Sequence, residues 1–312
     1  MDFEHRSVLP DEVHLHQNLK PGHICVDCTL GGAGHAQSTL KAILPDGILI
    51  GIDQDQDAIN NAKKILAPYK DNFKLNHRNF SDLPQILDEL GIKAVDSILL
   101  DLGFSLNQIR HAKRGFSFNL DEPLDMRMDT RNPLTAQTIV NEYSETELAD
   151  IFFQFGEEKF SRRIAAAIVQ KRAIAPITQS MALGDIVRDA LPAKVVATQK
   201  IHPATRVFQA LRIAVNQELE RLEIFMKDLP DFLNPGGRVS IISFHSLEDR
   251  IVKQGFKQYE SGCTCPKELP YCVCGFTPTL KVITRKPITA TKEELQANPM
   301  SRSAKLRVAE KL

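Results

Sequence analysis

The stretch Ile24-Cys25-Val26-Asp27-Cys28-Thr29-Leu30-Gly31-Gly32-Ala33-Gly34-His35 decides the fold. Ile24 to Thr29 is an apolar run of strand length, a glycine-rich turn follows, and an apolar helix runs on to Leu44. A strand, a glycine turn and a helix in that order open a doubly wound sheet, in which the turn lets the backbone come close to a ligand. The chain downstream continues the alternation. Gly47 to Asp53 reads as a second strand, Gln56 to Leu66 has helical spacing, and Phe73 to Asn79 is a third, less apolar strand. Leu83 to Leu90 is a helix closed by Gly91, a C-cap residue, and Val95 to Asp101 is the fourth strand. Strands alternating with helices predict a parallel sheet wrapped by helices.

The alternation then stops. Between about Ile109 and Ile201 the spacing is helical: Pro133 to Asn141, Glu145 to Phe155, Phe160 to Arg172 and Met181 to Leu191. Ser144 and Glu147 form a Ser-x-x-Glu capping box. Loop-like text, Arg114 to Asp129 and Pro192 to Pro203, bounds the block. A long amphipathic helix, Val207 to Phe225, follows it. Then come a turn at Asn234-Pro235-Gly236-Gly237, a strand from Arg238 to Phe244 and a helix from Leu247 to Phe256. Lys281 to Arg285 and Lys305 to Ala309 read as closing strands. The fold class expected is α/β: a Rossmann-like sheet of residues 1–108 and 202–312, interrupted by an all-helical insertion of residues 109–201.

Hydrophobic content of 43% and charged content of 25% are ordinary for a globular chain. Apolar runs such as Gly47 to Ile52 are strand-sized, which argues against a membrane span. Met1 to Pro10 is charged and has no apolar signal core, so a cytoplasmic location is expected. Net charge is zero but unevenly spread: residues 1–110 carry 10 Lys/Arg against 15 Asp/Glu, and residues 205–312 carry 17 against 12. A basic last third suits phosphates as well as it suits plain solvation.

Asp53 ends the second strand about 20 residues beyond the glycine turn, where an acid accepts bonds from ribose hydroxyls. From Gly32 the chain runs Gly-Ala-Gly-His-Ala-Gln, so the third glycine of a dinucleotide fingerprint is missing. Asp27, just before the turn, suits a ligand that carries an ammonium group; bonding to the turn backbone is its other reading. These features favour S-adenosylmethionine over NAD. Asp101 ends the fourth strand, and the carboxyl ends of strands line the ligand crevice of an open sheet. A carboxylate capping a neighbouring helix is the alternative there.

Cys25 and Cys28 fall in the first strand and read as small apolar residues. Cys263, Cys265, Cys272 and Cys274 make two C-x-C pairs. Four thiolates can bind zinc, but C-x-C lacks the usual gap of about two to four residues. A loop with incidental or reversible thiol chemistry is the alternative, so the four stand as a zinc candidate and no metal is assigned.

Several stretches carry a resemblance. They are Ser7-Val8-Leu9-Pro10-Asp11-Glu12-Val13, Asp27 to His35, Asp101-Leu102-Gly103, Arg114-Gly115-Phe116-Ser117-Phe118 and Pro123-Leu124-Asp125-Met126-Arg127-Met128-Asp129. Later come His202-Pro203-Ala204-Thr205-Arg206-Val207-Phe208-Gln209-Ala210-Leu211-Arg212 and Ser243-Phe244-His245-Ser246-Leu247-Glu248-Asp249-Arg250. Together they closely resemble the bacterial ribosomal RNA small subunit methyltransferase H family, also called MraW, from about residue 4 to the C-terminus. The resemblance implies S-adenosylmethionine as cofactor and transfer of its methyl group to the N4 amine of a decoding-centre (P-site) cytidine in 16S rRNA. By similarity the cofactor contacts are Ala33, Gly34, His35, Asp53, Phe80, Asp101 and Gln108. Phe80 would pack on the adenine; an ordinary core aromatic is the alternative. Two positions depart from the family. Ser105-Leu106-Asn107-Gln108 replaces a common Ser-Ser-Pro-Gln, and Ala33 stands where glycine is common, a mild change if its φ is negative.

A cytosine amine is a poor nucleophile because its lone pair is delocalised. The enzyme must align it with the methyl group and give its proton an acceptor. Asp101 or a nearby backbone carbonyl is expected in that role. His245 is placed to donate to the base or to a phosphate, or else to hold Glu248. Arg127, Arg206 and Arg212 are candidates for rRNA contacts. Arg162, Arg163, Lys171 and Arg172 add a basic helix edge that also suits a solvated face. The expected partner is 16S rRNA in the small ribosomal subunit, with no membrane; a homodimer stays open. Two competing readings are an NAD-dependent oxidoreductase on the same fold and a non-catalytic RNA-binding assembly factor.

Overall fold

A computed structural model describes residues 7–103, 113–199, 201–263, 265–266 and 273–312. The chain divides into two compact units, residues 1–103 with 219–312, and residues 104–218.

The first unit is built on a seven-stranded sheet. Its strands are β1 (Ile24–Asp27), β2 (Ile48–Asp53), β3 (Phe73–His77), β4 (Val95–Asp101), β5 (Leu233–Ser243), β6 (Leu280–Val282) and β7 (Lys305–Lys311). Their order is β3-β2-β1-β4-β5-β7-β6, with β7 antiparallel to both of its neighbours and the first five strands parallel. The central strands are apolar on both faces (Leu49, Ile50 and Ile52 are all buried), as a sheet covered on two sides requires. Helices α2 (Gly34–Ile43), α3 (Gln56–Ile65) and α4 (Leu83–Glu89) follow β1, β2 and β3. Asp55 caps α3 by accepting from the Asp57 amide at 3.0 Å. Strand order reverses between β1 and β4, the switch point at which open α/β sheets bind ligands.

The sequence reading places β1 to β4 and their helices within a residue or two. It misses α1 (Pro10–Gln17), whose buried side chains are just Val13 and Gln17, too few to give a pattern. The expected turn at Asn234–Gly237 is an excursion inside β5. Leu233 pairs with Val95 and Arg238 with Ser97, so the intervening residues bulge out. Asn234 anchors the bulge by donating to Asp96 at 2.9 Å.

The second unit is helical among the described residues. It holds α5 (Ala136–Glu142), α6 (Glu145–Gln154), α7 (Ser161–Arg172), α8 (Ser180–Ala190), α9 (Ala193–Thr198) and α10 (Thr205–Asn216). The capping box forms as read, Ser144 accepting from the Glu147 amide and Glu147 from the Ser144 amide. Helix α9 buries no residue, which is why its stretch reads as loop.

The expected helix from Val207 to Phe225 is two helices, α10 and α11 (Glu218–Asp228). Gln217, at φ 54°, is left-handed and ends α10. Three bonds hold the break. Asn216 donates to the Met126 carbonyl at 2.8 Å, and Arg212 grips Glu218 through both of its carboxylate oxygens at 2.8 and 2.9 Å. The break moves the division between units to residues 218 and 219 from the expected 201 and 202, because Val207, Leu211 and Val215 of α10 belong to the helical core. At the other junction the division falls after Gly103.

Candidate active site

Register alignment brings three carboxylates to one edge of the sheet. Asp27 ends β1 opposite Gly51 of β2 and Leu99 of β4; Asp53 ends β2; Asp101 ends β4 opposite Ile242 of β5. Each sits at the carboxyl end of one of three adjacent strands.

Asp27 is 2% exposed and accepts from the Thr29 amide at 3.2 Å through Oδ1, while its Oδ2 is buried with no hydrogen-bond partner. Burial drives its pKa well above the ordinary carboxylate value, and the negative charges of Asp101 and Asp53 add to that. Asp53 accepts from the Gly31 amide at 2.9 Å and the Asp55 amide at 2.8 Å. It therefore ties the glycine turn to the second strand, and burial raises it to about 6 against these bonds and a further one from the Gln54 backbone. Asp101 is held by its own amide, which donates to Thr29 Oγ1 at 2.7 Å. Its Oδ1 is buried and unpartnered. Burial first, and then the charge of Glu248, raises it to about 7.

The glycine turn leads through Ala33, Gly34 and His35 into α2, whose N-cap, Ala33, makes no side-chain cap bond. A Cβ on Gly34 would lie 2.3 Å from Ser7 Oγ, so a larger residue there would displace that hydroxyl. Ala33 has φ 61°, the left-handed region. The substitution is therefore not the mild one expected for a negative φ, since an L-residue at such an angle costs about 1–2 kcal/mol. His35 Nε2 lies 3.9 Å from Asp101 Oδ2, a cation-accepting distance when the ring is protonated.

The remaining predicted residues divide. Phe80 is 8% exposed, packs edge-on against Phe225 with ring centroids 5.9 Å apart, and belongs to the main core. Gln108 lies outside the described residues. His245 caps α12 (Ser246–Ser261): its Nδ1 accepts from the Glu248 amide at 3.4 Å, and its Nε2 lies 3.1 Å from Glu248 Oε1. That is the Glu248-holding geometry. Arg127 grips Asp125 through two 2.7 Å bonds and donates to the Thr130 and Asn132 carbonyls, and Arg212 is 7% exposed on Glu218. Both guanidinium groups serve the helical unit's own loops. Arg206 is 42% exposed at the side chain and reaches the Glu157 carbonyl at 3.5 Å. Arg162, Arg163 and Lys171 are exposed, whereas Arg172 donates to the Val140 and Tyr143 carbonyls.

Sequence reasoning misses two positioning residues. Thr29 fixes the Asp101 backbone, and Glu248 accepts from the Phe244 amide at 2.8 Å while repelling Asp101. Their signal was a hydroxyl two residues after Asp27 and the His-x-x-Glu spacing of a cap.

A sheet of this order, with β7 reversed against β5 and acids at the carboxyl ends of β1, β2 and β4, is the Rossmann-like class I methyltransferase fold with an inserted helical unit. The model of the MraW methylase family matches residues 2–312, and the chain belongs to that family. A relative from Desulforapulum autotrophicum called "Ribosomal RNA small subunit methyltransferase H" is 63% identical over 309 residues, covering 99% of both chains. Relatives of the same name from Desulfosudis oleivorans and Geobacter sulfurreducens are each 51% identical over 312 residues, covering 100% of both chains. Among the described residues no helix is long and apolar enough to cross a membrane.

Proposed function

We propose that this chain transfers a methyl group from S-adenosylmethionine to the N4 amine of a decoding-centre cytidine in 16S rRNA of the small ribosomal subunit. The observation that carries the reading is the set of three carboxylates at the strand ends, Asp27 buried and Asp53 and Asp101 partly so, two of them with a buried, unpartnered oxygen. Like charges in a dry crevice call for a cation. S-adenosylmethionine brings an ammonium and a sulfonium; NAD brings a pyrophosphate, which the same carboxylates repel.

The residues divide the work by chemistry. Asp27 Oδ2 accepts from the ligand's ammonium. The amides at the start of α2 receive its carboxylate. Asp53 keeps its backbone bonds and offers its remaining lone pair to the ribose hydroxyls, since a carboxylate has about four acceptor sites. Phe80 borders the adenine with its edge. Bound S-adenosylmethionine supplies an electrophilic methyl group on sulfur. Asp101 Oδ1 accepts an N4–H bond from the cytidine, localising the nitrogen lone pair, and takes the proton that leaves as the N–C bond forms. A pKa of about 7 suits a group that must both accept and release a proton near neutrality. Exposed Arg162 and Arg163, with half-exposed Arg206, give the helical unit a basic surface for rRNA phosphates.

The test is mass-spectrometric mapping of methylated cytidines in small-subunit rRNA from cells with and without the gene. One N4-methylcytidine should disappear on deletion and return with the wild-type gene. An unchanged map would overturn the proposal.

A further inference from the structure

The loop between α12 and β6 has two anchored ends. At one end a Cβ on Gly262 would meet the Phe276 ring at 3.0 Å, so that ring lies against the end of α12. At the other the Thr279 amide donates to the Tyr259 carbonyl at 3.0 Å, and the Val282 amide to Glu260 Oε1 at 2.9 Å. Between these anchors the sulfurs of Cys263, Cys265 and Cys274 come within 4.8 Å of one another. Cys263 and Cys274 are 3.6 Å apart at sulfur.

That spacing discriminates between chemistries. A disulfide requires about 2.05 Å between sulfurs. Thiolates bound to one zinc ion at about 2.3 Å, in tetrahedral directions, lie about 3.8 Å apart. The Val273 amide donates to Cys265 Sγ at 3.3 Å, the kind of bond that supports a thiolate carrying charge. Soft sulfur donors select zinc over magnesium or calcium. Three accessible thiols crowded in a surface loop would otherwise be a reactive liability.

We propose that Cys263, Cys265 and Cys274 bind one zinc ion, which ties the loop across itself and pins the short edge strand β6 to the end of α12. The short C-x-C spacing is no obstacle, because the third sulfur comes from a chain segment 11 residues away. Three thiolates leave one tetrahedral position for a further donor. Cys272, which completes the sequence pattern, lies outside the described residues.

The experiment uses the full chain purified under reducing conditions without added metal. Elemental analysis should find about one zinc per chain after desalting. A mercurial thiol reagent should release it, and replacing zinc with cobalt(II) should give the absorption of a tetrahedral thiolate site. Cys263→Ser and Cys274→Ser should each lower bound zinc about tenfold, while Cys25→Ala, in the core, should retain it. To guard against variants that fail to fold, the wild-type chain is stripped with a chelator. Three further thiols should then react, and adding zinc alone should protect them again. Zinc below about a tenth per chain, stoichiometric iron instead, a chain about 2 Da lighter from a disulfide, or thiol reactivity indifferent to the chelator would each overturn the proposal.

Discussion

In the helical unit Arg114, Glu122, Asp125, Arg127, Asp129 and Arg131 are held by one another or by nearby backbone, whereas at the carboxyl ends of β1 and β4 two carboxylate oxygens are buried with no partner. Arg114 donates to the Arg127 and Met128 carbonyls, Glu122 accepts from the Gly115 amide at 3.0 Å, and Asp129 holds Arg131. These bonds fix an irregular loop that has no ladder of its own to satisfy it. The sheet edge is satisfied through its strands and leaves acceptors over. A buried polar atom left unmatched costs about 1–3 kcal/mol. Such atoms in one crevice therefore mark where a ligand belongs, while a well-matched ion pair marks architecture.

The comparison can be broken by substitution. The largest effect is expected from Asp101→Asn, which should lower methyl transfer at saturating cofactor by about a hundredfold or more. Undiminished single-turnover rates would move the acceptor role to a backbone carbonyl. Next is Arg212→Ala. It strands Glu218 beside an empty site and should cost about 3–5 kcal/mol of stability in denaturant titrations. A loss of rRNA binding with stability intact would instead restore Arg212 as an RNA contact. Arg206→Ala should do what Arg212→Ala does not: leave the melting temperature nearly unchanged and reduce the salt dependence of subunit binding by about one counterion. The smallest effect is expected from Ala33→Gly. Relief of left-handed strain, about 1–2 kcal/mol, is offset by a lost buried methyl worth about 0.8 and by added chain freedom worth about 0.5–1. Calorimetric melting should show almost no net change.

What the sequence discloses follows the same division. Strands β1, β2 and β4 are legible because each is a short apolar run closed by a turn, β3 only from its place in the alternation, and the acids that end β1, β2 and β4 are legible because the sheet's polarity puts strand ends together. The arginines are not legible. Arg127 has its partner two residues away and Arg212 six away, and spacing cannot distinguish an arginine held at home from one offered to phosphate. Likewise the break at Gln217 depends on Asn216 reaching across to Met126, a contact between residues 90 apart that no local pattern announces. The positive φ of Ala33 is hidden for the opposite reason: alanine there looks like ordinary helix-forming sequence, and only the turn geometry shows the strain.

The raised carboxylates also fix the sign of the pH dependence. Folding lifts Asp53 to about 6 and Asp101 to about 7, so the folded chain holds these protons more tightly than the unfolded chain does. Stability without ligand therefore falls as pH rises from about 4 to about 7, and is level above that. A bound cation acts in the opposite direction, favouring the charged carboxylates and expelling their protons. Calorimetric titration of S-adenosylmethionine between about pH 5.5 and 7.5, in buffers of differing ionisation enthalpy, reads this directly. Affinity should rise about tenfold across that range with net release of protons; binding that is indifferent to pH, or that takes protons up, would contradict a cation-seeking crevice.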